Sequence, residues 1–345
     1  MKMLLVGLGG IGQRHTRNLR ALYGDRLELI AYRVRRDSPL LTDSLSIDDS
    51  HNSIEERYGI RSYGTLEAAL QERPDAAIIC NPSSMHMSVA LTAARAGCHL
   101  LIEKPVSHTL DQLDELAEVI RKNSLVCMVA YQLRFHPCLR LAHRLMIDGK
   151  IGRPIACRAV VGEYLPGWHR YEDYRSMYAS KRELGGGVVL SQIHELDILY
   201  WFFGRPERIV SFGGHFSDLQ VDVEDVASTL FAYDGMVAHL HQDYLQQPPV
   251  RQLEIIGNNG RMAVDLRALR VRAYGGSGTL IEDQSFESLE RNTLFLDEMK
   301  CFVDAVRTGD KVPVDLAGGR QSLEMALAVK RSMEINAPVV MSSAA

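Results

Sequence analysis

The sequence predicts an α/β fold in two parts: a doubly wound parallel sheet, then an α+β domain built on a mainly antiparallel sheet. Three observations predict it. The chain opens on an apolar strand that runs through Gly7-Leu8-Gly9-Gly10-Ile11-Gly12 straight into a helical segment. Strand and helix patterns then alternate to about residue 130. Beyond about residue 150, strand-like runs follow one another with turn signals between them, the texture of an antiparallel sheet. At 345 residues the chain exceeds the size at which one hydrophobic core stops growing. The boundary is drawn between 1–130 and 131–345.

In the first part strands are expected at 3–6, 27–33, 75–80, 98–102 and 126–130, with helices at 11–23, 65–72, 84–96 and 109–122. The stretch 37–53, rich in Ser and Asp, reads as a solvated loop. In the second part strands are expected at 153–163, 206–214, 223–233, 236–245, 250–257 and 261–273, with turns at Asp234-Gly235 and Asn258-Asn259-Gly260. A helix over 187–203 interrupts them, and helices at about 290–308 and 316–335 close the chain.

Strand, G-x-G-x-x-G and helix in that order form the dinucleotide fingerprint of a Rossmann domain. Gly7 permits the tight turn, Gly9 lets the backbone approach a pyrophosphate, and Gly12 lets the helix pack closely on the strand. The uncapped N–H groups and partial positive charge of a helix N-terminus serve as the anion site. Gly7, Gly9, Gly10, Ile11 and Gly12 are therefore assigned to cofactor binding. The second strand leads into Ala31-Tyr32-Arg33-Val34-Arg35-Arg36 without the acid that usually holds an NAD ribose. Arg33 and Arg35 are suited instead to a 2′-phosphate, which makes NADP the preferred cofactor over NAD; the competing reading is a solvated basic loop.

Composition excludes other classes. A net charge of −4 with interspersed signs offers no basic footprint for nucleic acid or anionic membrane. No apolar run is long enough to span a bilayer, and the N-terminus lacks the pattern of a secretory signal, so a cytoplasmic protein is expected. Six cysteines, none in a C-x-x-C pair, read as reduced thiols.

The chain resembles the glucose-fructose oxidoreductase, inositol dehydrogenase and MocA family. The resemblance rests on the N-terminal glycine motif, Asn81-Pro82-Ser83-Ser84-Met85-His86, Glu103-Lys104-Pro105, Tyr131-Gln132-Leu133-Arg134-Phe135-His136-Pro137, and Gly185-Gly186-Gly187 ahead of His194-Glu195-Leu196-Asp197. It implies oxidation or reduction of a sugar, cyclitol or related alcohol. It also implies an open sheet face that mediates homodimers or homotetramers. Asn81, Pro82, His86 and Glu103 join the expected cofactor residues, Glu103 orienting either Lys104 or the nicotinamide ribose. Tyr131, Arg134, His194 and Asp197 join the expected substrate residues.

Lys104 falls at the C-terminal edge of the parallel sheet, where ligands bind in such folds, and the family often has a cis proline at the position of Pro105. It is expected to hydrogen-bond the reacting oxygen and serves, on this reading, as both a catalytic and a cofactor-side residue. His194 is the second catalytic candidate. In the family an aspartate commonly precedes it by one helical turn; here that position is Leu190, and Asp197 is the alternative partner. Without a carboxylate at 190, alcohol oxidation is expected to speed up through about pH 6 to 7 as the imidazole becomes a base.

The segment from Tyr164 to Arg182 interleaves aromatic and cationic residues, which suits a sugar ring bearing a carboxylate or phosphate, with Trp168 and Arg175 as tentative contacts. A surface lid or an oligomer contact explains the same composition. His239 and His241 share one strand face but have no third ligand, so no metal is assigned. The leading reading is an NAD(P)-dependent dehydrogenase or reductase acting on a sugar-type substrate. An NAD-dependent glycosidase working by transient oxidation, and a non-enzymatic dinucleotide or sugar sensor, are the alternatives.

Overall fold

The computed structural model describes residues 1–34, 38–42, 44–50, 53–169 and 171–341. The chain begins β1 (Lys2–Val6), α1 (Gly10–Tyr23), β2 (Glu28–Tyr32), α2 (Ile54–Tyr58), β3 (Arg61–Tyr63), α3 (Leu66–Gln71), β4 (Ala76–Ile79), α4 (His86–Arg95), β5 (His99–Glu103), α5 (Leu113–Lys122) and β6 (Cys127–Ala130). These strands form one parallel sheet in the order β3-β2-β1-β4-β5-β6. The order reverses between β1 and β4, and a crevice opens at the strands' carboxyl ends there. The central strands are apolar along their whole length because helices cover both faces: Met3, Leu4, Leu5, Ile78, Ile79, Leu100 and Ile102 are all buried.

Two small elements of the first part were not anticipated, and in the second part neither the helix Pro137–Ile147 nor the strands Leu280–Ser285 and Val339–Val340 were. Helix α2 starts where Ser53 accepts a hydrogen bond from the Glu56 N–H and ends at Gly59 in the left-handed region. Strand β3 pairs with the edge of β2 over only three residues, too few to show a period. Helix α5 begins four residues later than 109, because Gln112 takes a left-handed conformation immediately before it.

The second part continues with α6 (Pro137–Ile147), β7 (Pro154–Gly162), α7 (Val188–Ser191), α8 (His194–Phe203), β8 (Arg208–Gly214), β9 (Val226–Tyr233), β10 (Met236–Asp243), β11 (Val250–Gly257), β12 (Gly260–Asp265), β13 (Arg270–Gly275), β14 (Leu280–Ser285), α9 (Arg291–Thr308), α10 (Leu316–Ile335) and β15 (Val339–Val340). Nine strands pair in the order β14-β13-β12-β11-β7-β10-β9-β8-β15. Every pair is antiparallel except β7 with β10. Side chains alternate along the strands: Cys157, Ala159, Phe231, Leu240 and Ile255 turn into the core, whereas Phe212, Leu230 and Val237 stay exposed on the other face.

Two expected elements are divided. The strand expected over 261–273 becomes β12 and β13, because the Asp265 carboxylate accepts from the N–H groups of Arg267 and Ala268 and Leu269 adopts a positive φ of 52°. The helix expected over 187–203 breaks after Ser191. There the backbone carbonyls are claimed from outside the helix: Lys104 Nζ donates to Ser191 at 2.8 Å and Gln242 Nε2 to Gln192 at 3.1 Å.

The last two helices return to the first sheet. Val129 N–H donates to the Val314 carbonyl, and a Cβ at Gly319 would stand 2.6 Å from the Val129 side chain, so α10 approaches β6 with no room for a larger residue. Helix α9 crosses α1 through Asn292, hydrogen-bonded to Asn18 and Arg14, and through Phe295, which faces His15. No cysteine is disulfide-bonded, and among the described residues no helix is long and apolar enough to cross a membrane.

Glu298 of α9 is fully buried with neither carboxylate oxygen hydrogen-bonded. Burial, then the nearby charge of Glu103, pushes its pKa well above the usual carboxylate range. The folded state therefore holds a proton that an unfolded glutamate releases near pH 4.3. Stability from this source is present below that pH and is lost as pH rises toward the folded value. Glu298→Met is expected to be more stable than wild type by about 1–3 kcal/mol at pH 8, with the gap narrowing toward pH 4.5, as read from urea unfolding.

Candidate active site

The cofactor turn has the geometry the motif calls for. Gly7 has a φ of +87°, and a Cβ on Gly12 would collide with the Gly7 carbonyl oxygen, so only glycine lets α1 sit this close to β1. A Cβ on Gly9 would meet nothing, which leaves that face open to a pyrophosphate. Gly9 caps α1 without any side-chain hydrogen bond, and Gly10, Ile11 and Gly12 supply the first backbone N–H groups. Across the crevice the buried Asn81 Oδ1 has no partner. An open glycine face, an uncapped helix end and an orphaned amide oxygen fit a dinucleotide laid from α1 toward β4 and β5.

Other residues expected near the cofactor hold the loops. His86 is buried, with Nε2 2.8 Å from the Asn81 carbonyl and Nδ1 2.9 Å from that of Pro105. Burial lowers its pKa, so the neutral ring donates to one carbonyl at a time and ties the loop beginning at Asn81 and Pro82 to the Lys104-Pro105 loop. The Lys104–Pro105 peptide is cis. Glu103 is hydrogen-bonded to the buried His15 at 2.7 Å and accepts from the Lys104 N–H at 3.2 Å. Arg33 is 6% exposed and forks onto Glu55 at 2.9 and 3.0 Å, so its charge is already matched within the protein. Arg35 lies outside the described residues.

Lys104 and His194 arrive from different sheets and meet at the break between α7 and α8. Lys104 Nζ donates to the Ser191 carbonyl, three residues before His194. His194 is 4% exposed, its Nδ1 has no partner, and Tyr131 packs edge-on against it with ring centroids 5.5 Å apart. Burial first, then the charges of Lys104, Arg251 and Arg291, drive its pKa well below the ordinary imidazole value. Buried polar atoms without partners gather in this part of the chain: Tyr131 OH, Ser191 Oγ and Gln192 Oε1 besides His194 Nδ1. Such orphans are costly unless something else satisfies them.

Several expectations are corrected. Asp197 is not the partner of His194, because Arg134 grips both its carboxylate oxygens at 2.7 and 2.8 Å. Arg134 in turn lies over the Trp201 ring, so the pair braces α8 rather than presenting a charge to substrate. Leu190 belongs to the separate helix α7 and is buried. Trp168 packs edge-on against Tyr244, its indole N–H unpartnered. Arg175 is exposed and held by Asp173 and Gln220. The residue of that segment that does reach the cofactor turn is Tyr171, whose hydroxyl stands 2.8 Å from where a Gly10 Cβ would be. His239 and His241 bond Ser228 and Asp243, and among the described residues no group of three His, Cys, Asp or Glu is placed to hold a metal.

Sequence reasoning missed Arg251, forked on Glu195 at 2.6 and 3.0 Å, and Arg291. Neither sits in a motif; each is brought toward His194 only by the pairing of β11 and the packing of α9.

A dinucleotide turn on one sheet and a lysine–histidine pair at its carboxyl edge define a nicotinamide-dependent oxidoreductase. Residues 1–131 match the oxidoreductase family with an NAD-binding Rossmann fold, Gfo/Idh/MocA, and residues 139–263 match the Gfo/Idh/MocA C-terminal domain. The chain belongs to this family. It is 24% identical to myo-inositol 2-dehydrogenase of Thermotoga maritima over 97% of this chain and 96% of that one. It is 26% identical to scyllo-inositol 2-dehydrogenase (NAD(+)) of Bacillus subtilis, with 98% and 96% covered. Among solved structures, levoglucosan dehydrogenase in complex with NADH and levoglucosan superposes with a TM-score of 0.83 at 17% identity, covering 99% of this chain and all of that one. That likeness establishes the fold.

The lowered pKa of His194 moves the expected pH limb. For alcohol oxidation, kcat/KM should be flat from about pH 6.5 upward and fall only at more acid pH, where the imidazole takes a proton. His194→Asn should lower the rate about a hundredfold and abolish the fall. A limb centred at or above pH 6.5 in the wild type, or one unchanged in the variant, removes His194 as the base.

Proposed function

We propose that the chain transfers a hydride between nicotinamide and a hydroxyl-bearing carbon of a sugar, cyclitol or sugar derivative, with residues 1–130 holding the dinucleotide and 131–345 the substrate. The observation that carries this reading is the Lys104–Ser191 hydrogen bond, which brings the lysine to the backbone three residues before a buried histidine whose Nδ1 has no partner. Nicotinamide, when bound, accepts or supplies the hydride. Lys104 Nζ donates one proton to the Ser191 carbonyl and keeps two to hold the reacting oxygen and stabilise negative charge there. The His194 imidazole, neutral at neutral pH, takes the hydroxyl proton on a ring nitrogen during oxidation and returns it during reduction. Tyr131 fixes the plane of the imidazole.

NADP is the proposed preference, since no acid follows β2 in Arg33-Val34-Arg35-Arg36. With Arg33 matched by Glu55, the 2′-phosphate falls to Arg35. A panel of inositols and monosaccharides run with NADP+ and NAD+ side by side tests both points. Turnover should favour NADP+, Arg35→Ala should shrink that preference, and Lys104→Met should cut turnover by about a hundredfold while leaving cofactor affinity intact. Equal use of the two cofactors, or near-normal turnover in Lys104→Met, overturns the corresponding assignment.

The chain is further proposed to self-associate through the exposed face of its nine-stranded sheet. Phe212, Leu230 and Val237 lie there on neighbouring strands, 66%, 46% and 46% exposed. Light scattering should give the mass of two or four chains, and Leu230→Glu should lower it; a wild-type mass of one chain refutes the interface.

A further inference from the structure

The dinucleotide fingerprint asks for glycine at positions 7, 9 and 12 and leaves position 10 free. Gly10 is nevertheless glycine, and its own backbone does not call for it: it is the first residue of α1 and has no positive φ. Tyr171 does. Its hydroxyl stands 2.8 Å, and its ring carbon Cζ 3.7 Å, from where a Gly10 Cβ would be, so a side chain at 10 displaces the hydroxyl but merely touches the ring. Gly9, one residue earlier, is exposed, whereas Gly10 is buried. The hydroxyl therefore lies at the covered edge of an open phosphate seat, beside the first free N–H groups of α1.

Tyr171 is brought there from the second part of the chain, between β7 and α7, and its place is fixed on both sides. Trp168 packs edge-on against Tyr244, and the Tyr174 hydroxyl accepts from the Gln220 N–H at 3.1 Å. The Tyr171 ring stacks on His169 with centroids 5.3 Å apart. Glu172, the acid that acts on the phenol, is exposed and is engaged by His169 Nδ1 at 2.8 Å. Burial first, then the Glu172 charge, keep the phenol pKa above its ordinary value, so the hydroxyl stays protonated and able to donate. Main-chain N–H groups and a phenolic O–H beside an open glycine face suit a group that only accepts hydrogen bonds, as a pyrophosphate does.

Resting on the nicotinamide-cofactor reading above, we propose that Tyr171 is a latch across the two parts of the chain: its hydroxyl donates a hydrogen bond to the pyrophosphate seated on α1 and slows the cofactor's departure. The bond is to a group common to NAD and NADP, so it retains either dinucleotide without choosing between them. The choice is left to the residues after β2. The opposite use of the same position, a hydroxyl that holds the seat against the cofactor, predicts the reverse effect of removing it. The experiment separates the two.

The test titrates the full chain calorimetrically with NADPH, NADH and ADP-ribose, which share the pyrophosphate, and follows NADPH dissociation by stopped flow. Tyr171→Phe, which keeps the ring and its stacking, should weaken all three by the same factor of about ten, the scale of a hydrogen bond to a charged acceptor, with the loss falling on the dissociation rate. Gly10→Ala, which displaces the hydroxyl, should cause a similar loss. Added to Tyr171→Phe it should cost little more, because the alanine then meets only the ring at ordinary contact distance. Tighter binding or unchanged affinity in Tyr171→Phe, a loss confined to one ligand, or additive losses in the double variant each overturns the latch while cofactor binding itself stands. A wild-type chain that binds none of the three strikes the cofactor reading, and the latch with it.

Discussion

One hydrogen bond, from Lys104 Nζ to the Ser191 carbonyl, joins the two halves of the chemistry. Lys104 belongs to the edge of the parallel sheet and His194 to a helix laid on the antiparallel one, so neither sheet alone places them together. Drawing the Ser191 carbonyl out of its helix both anchors the lysine and starts a new helix at His194. Gln242 secures the same break by holding the next carbonyl. What reads as an interruption in secondary structure is the joint on which the active site turns.

The electrostatics follow from that joint. His194 is buried where carboxylates have been diverted to arginines, and the net field on it is positive. An imidazole in such surroundings needs no carboxylate at position 190 to stay neutral at neutral pH. The arrangement differs from a histidine–aspartate couple in sign: here the imidazole is made a weaker base but is available over a wider range of pH.

The sequence was legible where structure is local. Five of the six strands of the first sheet, the glycine turn and the terminal helices follow from apolar periodicity and from motifs a few residues long, and the structure has them within a few residues. The lysine and histidine were visible through the order of short motifs. What escaped depends on partners far along the chain. The break at Gln192 depends on Gln242, the loss of Asp197 to Arg134 on a contact 63 residues away, and the division of β12 from β13 on one aspartate folding back on its own backbone. Glu298 carries no local signal, since a charged residue on an amphipathic helix looks solvated until another part of the chain covers it.

The return of α9 and α10 makes the boundary in sequence different from the boundary in space. Cutting at residue 131 would strip β6 of the Val314 carbonyl and α1 of Asn292 and Phe295, leaving core residues of the first sheet uncovered. A chimaera that exchanges only the amino-terminal portion with a relative must therefore also match the last sixty or so residues, down to the glycine at 319 that lets α10 lie against Val129. The dinucleotide-binding portion is in this sense a discontinuous module, closed by the far end of the chain.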